Sequence, residues 1–267
     1  MMFKPLLAIT LLASTGLMSA NDALDQAIAA EHRKDSMARD MFRNPKETLS
    51  FFQIEPNHKV IEITPGGSGW YTEILAPYLR DAGQLTIGHF DPESDSDYYK
   101  RNYKKLLDKF NATPELYNKV DVGLFAPPGK YQLGEAGTFD RVVTFRNVHN
   151  WTRNGDEEMD RIFTEFFNAL KPGGKLGVID HRLPEDRSKD YEGGYVKESY
   201  VITLAEKAGF KLEGKSEINA NPKDPVDSAD GVWRLPPSLS RGSDEDKEKY
   251  KAIGESDRLT LLFTKPE

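Results

Sequence analysis

Two carboxylates and a histidine stand where strand-like runs give way to turns. Glu62 lies in a short apolar run, Lys59-Val60-Ile61-Glu62-Ile63, that feeds into Thr64-Pro65-Gly66-Gly67-Ser68-Gly69. Asp91 follows a second run, residues 84–90. An acid at such a position can accept both hydroxyls of a ribose. Glycines in the preceding turn let the backbone approach a ligand where a Cβ would clash. His149 follows the clearest buried-strand run, residues 139–148, and is surrounded by Arg146, Asn147, Asn150 and Trp151, residue types suited to orienting a small molecule. Asp180, His181 and Arg182 follow another apolar run. A histidine in this setting can act as a general base.

These residues work together only if the fold gathers them at one edge. Seven runs read as strands: 59–63, 84–90, 120–124, 139–148, 175–179, 210–218 and 258–264. Helical patterns alternate with most of them, over 70–79, 97–110 and 195–208, and along a stripe of Met159, Ile162, Phe163, Phe166, Phe167 and Leu170. Such alternation predicts an α/β fold, Rossmann-like and doubly wound, with a mostly parallel sheet covered on both faces. The two closing strands have no helical crossover, which predicts an antiparallel end. In such sheets ligands sit beyond the carboxyl ends of the strands, near the point where strand order reverses. The Glu62 turn, Asp91, Asn147, His149 and His181 are all expected there.

The ordered set resembles the class I S-adenosylmethionine-dependent methyltransferases. Residues 60–69 stand where that family has an acid and a glycine-rich turn, with Thr64 in place of the usual first glycine. Asp91 matches the ribose-binding acid, Phe139-Asp140-Arg141-Val142-Val143 the entry of the fourth strand, and Leu170-Lys171-Pro172-Gly173-Gly174 the turn before the fifth. The string from Thr144 to Trp151 and the closing Gly254-Glu255-Ser256-Asp257-Arg258 are similar to a group of secreted methyltransferases of unassigned substrate. The resemblance implies a seven-stranded sheet with an antiparallel last strand and S-adenosylmethionine as cofactor. It implies a cofactor site at Glu62, Gly66, Gly67, Gly69, Asp91 and Asn147. His149 would be the catalytic residue, and Arg146, Asn150, Trp151 and His181 the substrate contacts.

Composition narrows the alternatives. The chain has 267 residues, a formal charge of −7 and no cysteine. The length fits one large α/β domain. Lack of cysteine excludes a disulfide scaffold and a thiolate metal site, and without paired histidine spacing no metal is expected. The acidic balance disfavours a general nucleic-acid binder and leaves a small-molecule substrate as the expected partner. Oligomeric state leaves no signature. Residues 1–20 read as a signal peptide, with an early lysine, an apolar run and small residues before the polar Asn21. The expected product is periplasmic or secreted, with no stable membrane span after signal removal. Residues 21–52 read as a largely exposed helical extension, with Asn44 as a helix cap, and 53–267 as the main domain. The irregular insertion 219–257 is a candidate lid or substrate wall. A second class of function is an exported binding protein for adenosine ligands that keeps the fold without transferring a methyl group. A dinucleotide-dependent oxidoreductase is disfavoured because Thr72 occupies the third glycine position of that fingerprint.

Overall fold

Residues 19–226 and 229–267 are described by the structure, a computed structural model. The signal-peptide expectation therefore lies outside the described residues, apart from Ser19 and Ala20. Among the described residues ten strands form the sheet: β1 (Lys59–Ile63), β2 (Gln84–His89), β3 (Asp121–Ala126), β4 (Lys130–Gln132), β5 (Phe139–Phe145), β6 (Leu170–Leu183), β7 (Tyr191–Glu192), β8 (Tyr195–Lys197), β9 (Lys211–Lys215) and β10 (Arg258–Thr264). Their order is β4-β3-β2-β1-β5-β6-β10-β9, with the β7–β8 ribbon joined to the end of β6. β1, β2, β3, β5 and β6 pair in parallel, and β10 runs antiparallel to both β6 and β9. This is the expected Rossmann-like sheet. Seven of the strands are those read from the sequence, and β4, β7 and β8 are short additions. Strand order reverses at β1, between β2 and β5, which puts the ligand crevice above the carboxyl end of β1.

Side-chain alternation along each strand divides the core into two layers. Ile61 and Ile63 join Val142, Leu176 and Val178 in one cluster, and Val60 joins Val143, Ile179 and Leu262 in the other. The first layer is covered by α8 (Asp156–Ala169), whose Met159, Ile162, Phe163 and Phe166 recur at helical spacing and are fully buried. The second is covered by α1 (Ala20–Ile28), α3 (Pro45–Phe51), α4 (Thr72–Leu79) and α5 (Asp97–Ala112). Gly177 of β6 shows how closely this layer approaches: a Cβ there would sit 2.7 Å from the Phe52 ring. The other helices are α2 (Asp40–Arg43), α6 (Pro114–Tyr117), α7 (Val148–Trp151), α9 (Glu198–Lys207) and α10 (Asp244–Ile253). Among the described residues, no helix is long and apolar enough to cross a membrane.

Several sequence expectations change. The 21–43 stretch is α1 followed by short turns, and Arg33 and Arg43 are buried, not exposed. Both arginines lie against the Trp70 ring, so burial leaves each cation a partner. Asn44 makes no capping bond: it is in the left-handed region at φ 40°, and its Nδ2 donates to the Ile218 carbonyl 2.7 Å away. Residues 195–197 are strand, not helix. The insertion is less irregular than its prolines suggest, because α10 is set by a reciprocal capping box between Ser243 and Asp246.

Candidate active site

A cavity of about 1050 Å³ opens above the carboxyl ends of β1, β2 and β5. Drug-sized ligands occupy pockets of roughly 300–1,000 Å³, so there is room for two reactants side by side. The floor is Thr64-Pro65-Gly66 after β1 and Phe145-Arg146-Asn147 after β5. Gly66, at φ +69°, faces open space: a Cβ there would meet nothing within 4 Å. Thr64 is held at φ +51° and its buried Oγ1 has no hydrogen-bond partner. A β-branched residue in that region is strained, and strain of this kind gathers at functional sites. Thr64→Gly is expected to raise stability by about 1 kcal/mol, read as a higher denaturant midpoint at unchanged slope. A lower midpoint would show that the hydroxyl, despite its missing partner, stabilises the turn.

The candidate cofactor residues divide into two groups. Gly66, Asp91 and Asn147 line the cavity. Glu62, Gly67 and Gly69 do not: period-two alternation turns Glu62 toward α4, where its Oε2 accepts from Thr72 Oγ1 at 2.7 Å. Gly67 donates its N–H to Asn102 Oδ1 of α5 at 3.0 Å, and Gly69 packs against Leu106. Glu62 borders a separate void of about 20 Å³, room for one water, together with Arg43, Ser68, Tyr71 and Arg146. Thr64, Pro65, Phe145 and Arg146 border both spaces and form the partition between them. Tyr71 stacks on Phe145 with ring centroids 3.7 Å apart, closing the void from the helix side. Burial pushes the Glu62 carboxyl up to about 7, against the pull of the Thr72 hydrogen bond. Asp91 is engaged as well: Oδ1 accepts the Glu93 N–H at 2.8 Å and Oδ2 pairs with Lys130 at 2.5 Å. The Lys130 hydrogen bond holds its pKa below the usual carboxylate range. Asn147 Nδ2 donates to the carbonyls of Ile63 and Thr64, tying β5 to the strained turn.

The catalytic candidate His149 and one substrate candidate, His181, meet at Asp180 of β6. His149 Nδ1 meets Asp180 Oδ1 at 2.7 Å, and Asp180 also accepts the backbone N–H groups of His149 and His181. Two of the three contacts to Asp180 come from backbone N–H groups; with the carboxylate as acceptor, the His149 ring donates through Nδ1 and Nε2 is the nitrogen turned away from Asp180. His181 shares a hydrogen bond through Nδ1 with Ser256, and its ring centroid lies 5.0 Å from that of His149. Burial, with His149 and Arg258 nearby, drives the His181 pKa well below its ordinary value and keeps the ring neutral. One ligand atom each from His149, Asp180 and His181 fall within 4.8 Å of one another, a grouping their sequence spacing did not suggest. Both Asp180 oxygens are already hydrogen-bonded, and the surrounding arginines add positive charge. We therefore read the group as a hydrogen-bonded relay, not a cation site. Trp151 packs mainly into the core against Phe125, while Asn150 is exposed at the rim.

Sequence reading missed part of the lining: Tyr99 of α5 and Lys130 of β4 border the cavity. Trp233 with Pro236-Pro237 border it as well, so the insertion is one wall of the site, as its position suggested. A buried Arg234–Asp224 pair at 3.0 Å, also bonded to the Tyr195 hydroxyl, holds that wall in place. No local pattern marks these contacts, because each joins residues far apart in the chain.

The Aquifex aeolicus S-adenosylmethionine-dependent methyltransferase superposes with a TM-score of 0.56 at 15% identity, over 89% of this chain and 98% of that one. The chain has the class I methyltransferase fold. The (4+2)-cyclase SpnF shares this methyltransferase fold at a TM-score of 0.55 and 15% identity, over 84% of this chain and 80% of that chain. In sequence, the chain is 24% identical over 208 residues to a sterol 24-C-methyltransferase of Debaryomyces hansenii, covering 70% of this chain. It spans about half, 49%, of that relative's length. No family profile matches the chain.

Proposed function

We propose that this protein binds S-adenosylmethionine at the carboxyl edge of its sheet and transfers the methyl group to a small-molecule acceptor. The observation that carries the reading is the partition at Thr64. There a strained residue with an unpaired hydroxyl adjoins a glycine whose missing Cβ leaves open space, and both border a cavity that also reaches Asp91. Its methyltransferase-fold neighbour from Aquifex aeolicus and the sterol methyltransferase similarity support the same reading. Asp91, released from Lys130, would accept the ribose hydroxyls. Gly66 and Thr64 would line the path of the amino-acid tail, whose ammonium would meet Glu62 once Tyr71 and Phe145 make room.

The cofactor supplies a methyl group on a sulfonium, transferred by direct displacement. Alignment of the reactants is then the largest contribution the protein can make. His149, oriented by Asp180, would take the acceptor's proton on Nε2 as the new bond to the methyl carbon forms and the carbon–sulfur bond breaks. Residues 1–20 support an exported, periplasmic or secreted location for this chemistry.

Glu62 provides the test. Its folded-state pKa is raised, so its contribution to stability is full below about 4.5 and is lost as pH rises through about 7. A ligand ammonium favours the ionised form, so S-adenosylhomocysteine affinity should rise with pH through that window. Calorimetric titration between pH 5.5 and 8.5 should show proton release on binding at the acidic end. In Glu62→Gln this pH dependence should vanish and affinity should fall about tenfold, as for loss of one charge-assisted contact, while the unliganded variant becomes more stable than wild type at pH 8. No binding of either S-adenosyl ligand at any pH would reject the proposal.

Two observations favour a second reading, a binding protein without transfer. Asp91 is already paired with Lys130, and SpnF carries the same fold with a cyclase activity. Ligand binding without methyl transfer would select it.

A further inference from the structure

Four guanidinium groups crowd the wall between the two spaces against a single carboxylate. Arg39, Arg43 and Arg258 all turn toward Glu255, Arg39 Nε at 2.6 Å and Arg43 Nε at 3.4 Å. After these bonds Arg39 Nη2, Arg43 Nη2 and Arg258 Nε are still buried with no hydrogen-bond partner. Arg43 itself is only 2% exposed and borders the void beside Glu62. The fourth, Arg146, makes no side-chain hydrogen bond or ion pair among the described residues, and it borders both the void and the main cavity. Burial, with Arg258 beside it, lowers its pKa to about 10. Its backbone is held at φ +64°, a region that non-glycine residues adopt only where their surroundings enforce it. Buried donors without acceptors are unfavourable, and a surplus of positive charge makes them more so. An anion on Arg146 would give that guanidinium a partner and offset the positive charge of the whole cluster. The rest of the cavity wall is rich in rings, with Phe90, Tyr99, Trp151 and Trp233, which suits a ligand with an apolar body.

We propose that Arg146, backed by Arg43 and Arg258, is a subsite for a carboxylate group of the bound ligand. A planar guanidinium with no protein partner matches a carboxylate in a two-pronged pairing. That carboxylate belongs either to an acidic acceptor or to the amino-acid tail of the cofactor. The subsite deepens the proposed function and rests on it only in the second case.

Two pairs of probes distinguish the sources. Benzoate and its uncharged analogue benzyl alcohol test the acceptor side without any adenosine ligand. S-adenosylhomocysteine and 5′-methylthioadenosine, which lacks the amino-acid tail, test the cofactor side. Each is titrated into wild type, Arg146→Gln and Arg146→Gly, the last chosen because glycine relieves the positive φ and should fold at least as well. If the acceptor supplies the carboxylate, the advantage of benzoate over benzyl alcohol falls about tenfold or more in both variants, as for loss of one charge-assisted pair. If the cofactor supplies it, the advantage of S-adenosylhomocysteine over 5′-methylthioadenosine falls instead. The proposal is overturned if neither advantage depends on Arg146 in variants that melt at or above the wild-type temperature. Should neither adenosine ligand bind wild type, the cofactor reading fails, and the benzoate pair alone still decides the subsite.

Discussion

Glu255→Ala is expected to destabilise the protein by about 3–5 kcal/mol, the usual cost of removing one member of a buried ion pair. Glu255 is 2% exposed and is the shared partner of Arg39, Arg43 and Arg258. Its removal leaves Arg43 and Arg258 buried, and Arg39 half-buried, with no carboxylate between them. Burial alone would raise the Glu255 pKa, but Arg258, Arg43 and Arg39 hold it well below the usual carboxylate range. The sign follows: a depressed folded-state pKa gives stability that is full above the unfolded-state value and is lost only as pH falls toward the folded one. Wild type should therefore keep this contribution in mild acid, and the variant should lack it at every pH above the unfolded-state value. Chemical denaturation at pH 7 and pH 5 measures both, and a loss under about 1 kcal/mol, the scale of an exposed pair, would contradict the account. The effect reaches the site, because Arg39 and Arg43 bring the N-terminal segment over the strand ends.

His149→Ala carries the largest expected effect on turnover. A positioned general base contributes about 10²–10⁴-fold, so methyl transfer should fall by that factor. S-adenosylhomocysteine affinity should change by less than about threefold, since a group acting only in the transition state leaves ground-state binding alone. Asp180→Asn should lower turnover less severely, because it weakens the orientation of the imidazole without removing Nε2. The contrast needs a labelled-methyl assay with acceptors drawn from a cell extract, beside a calorimetric titration. Transfer retained within about tenfold in His149→Ala would make the histidine a structural one, leaving alignment as the main source of rate.

The architecture was legible where its causes are local. The apolar run into the Thr64–Gly69 turn, the Met159–Phe166 stripe and the missing crossover before β10 each depend on neighbours within a few residues. Strand alternation and helical periodicity encode those directly. The same pattern pointed to the carboxyl edge that gathers Asp91, Asn147, His149 and His181, while the reversal of strand order at β1 is read from the structure.

What the sequence did not disclose is which side chains reach the cavity and which are already engaged. Glu62 was expected in the cradle, but alternation along β1 turns it to the α4 side, where it borders only the small void. Arg33 and Arg43 sit in a charged stretch that reads as solvated, and they are buried because Trp70 and Glu255, far along the chain, receive them. The His181–Ser256 and Arg39–Glu255 contacts join residues 75 and 216 positions apart. By itself the sequence determined the alternation of strands and helices, the glycine turn and the edge where chemistry belongs, because hydrophobic period and turn conformation are properties of short segments. Only the tertiary structure decided the partition between the two spaces, the Asp180 hydrogen bonds behind His149 and the arginine surplus, because burial and charge balance depend on partners that chain distance does not reveal.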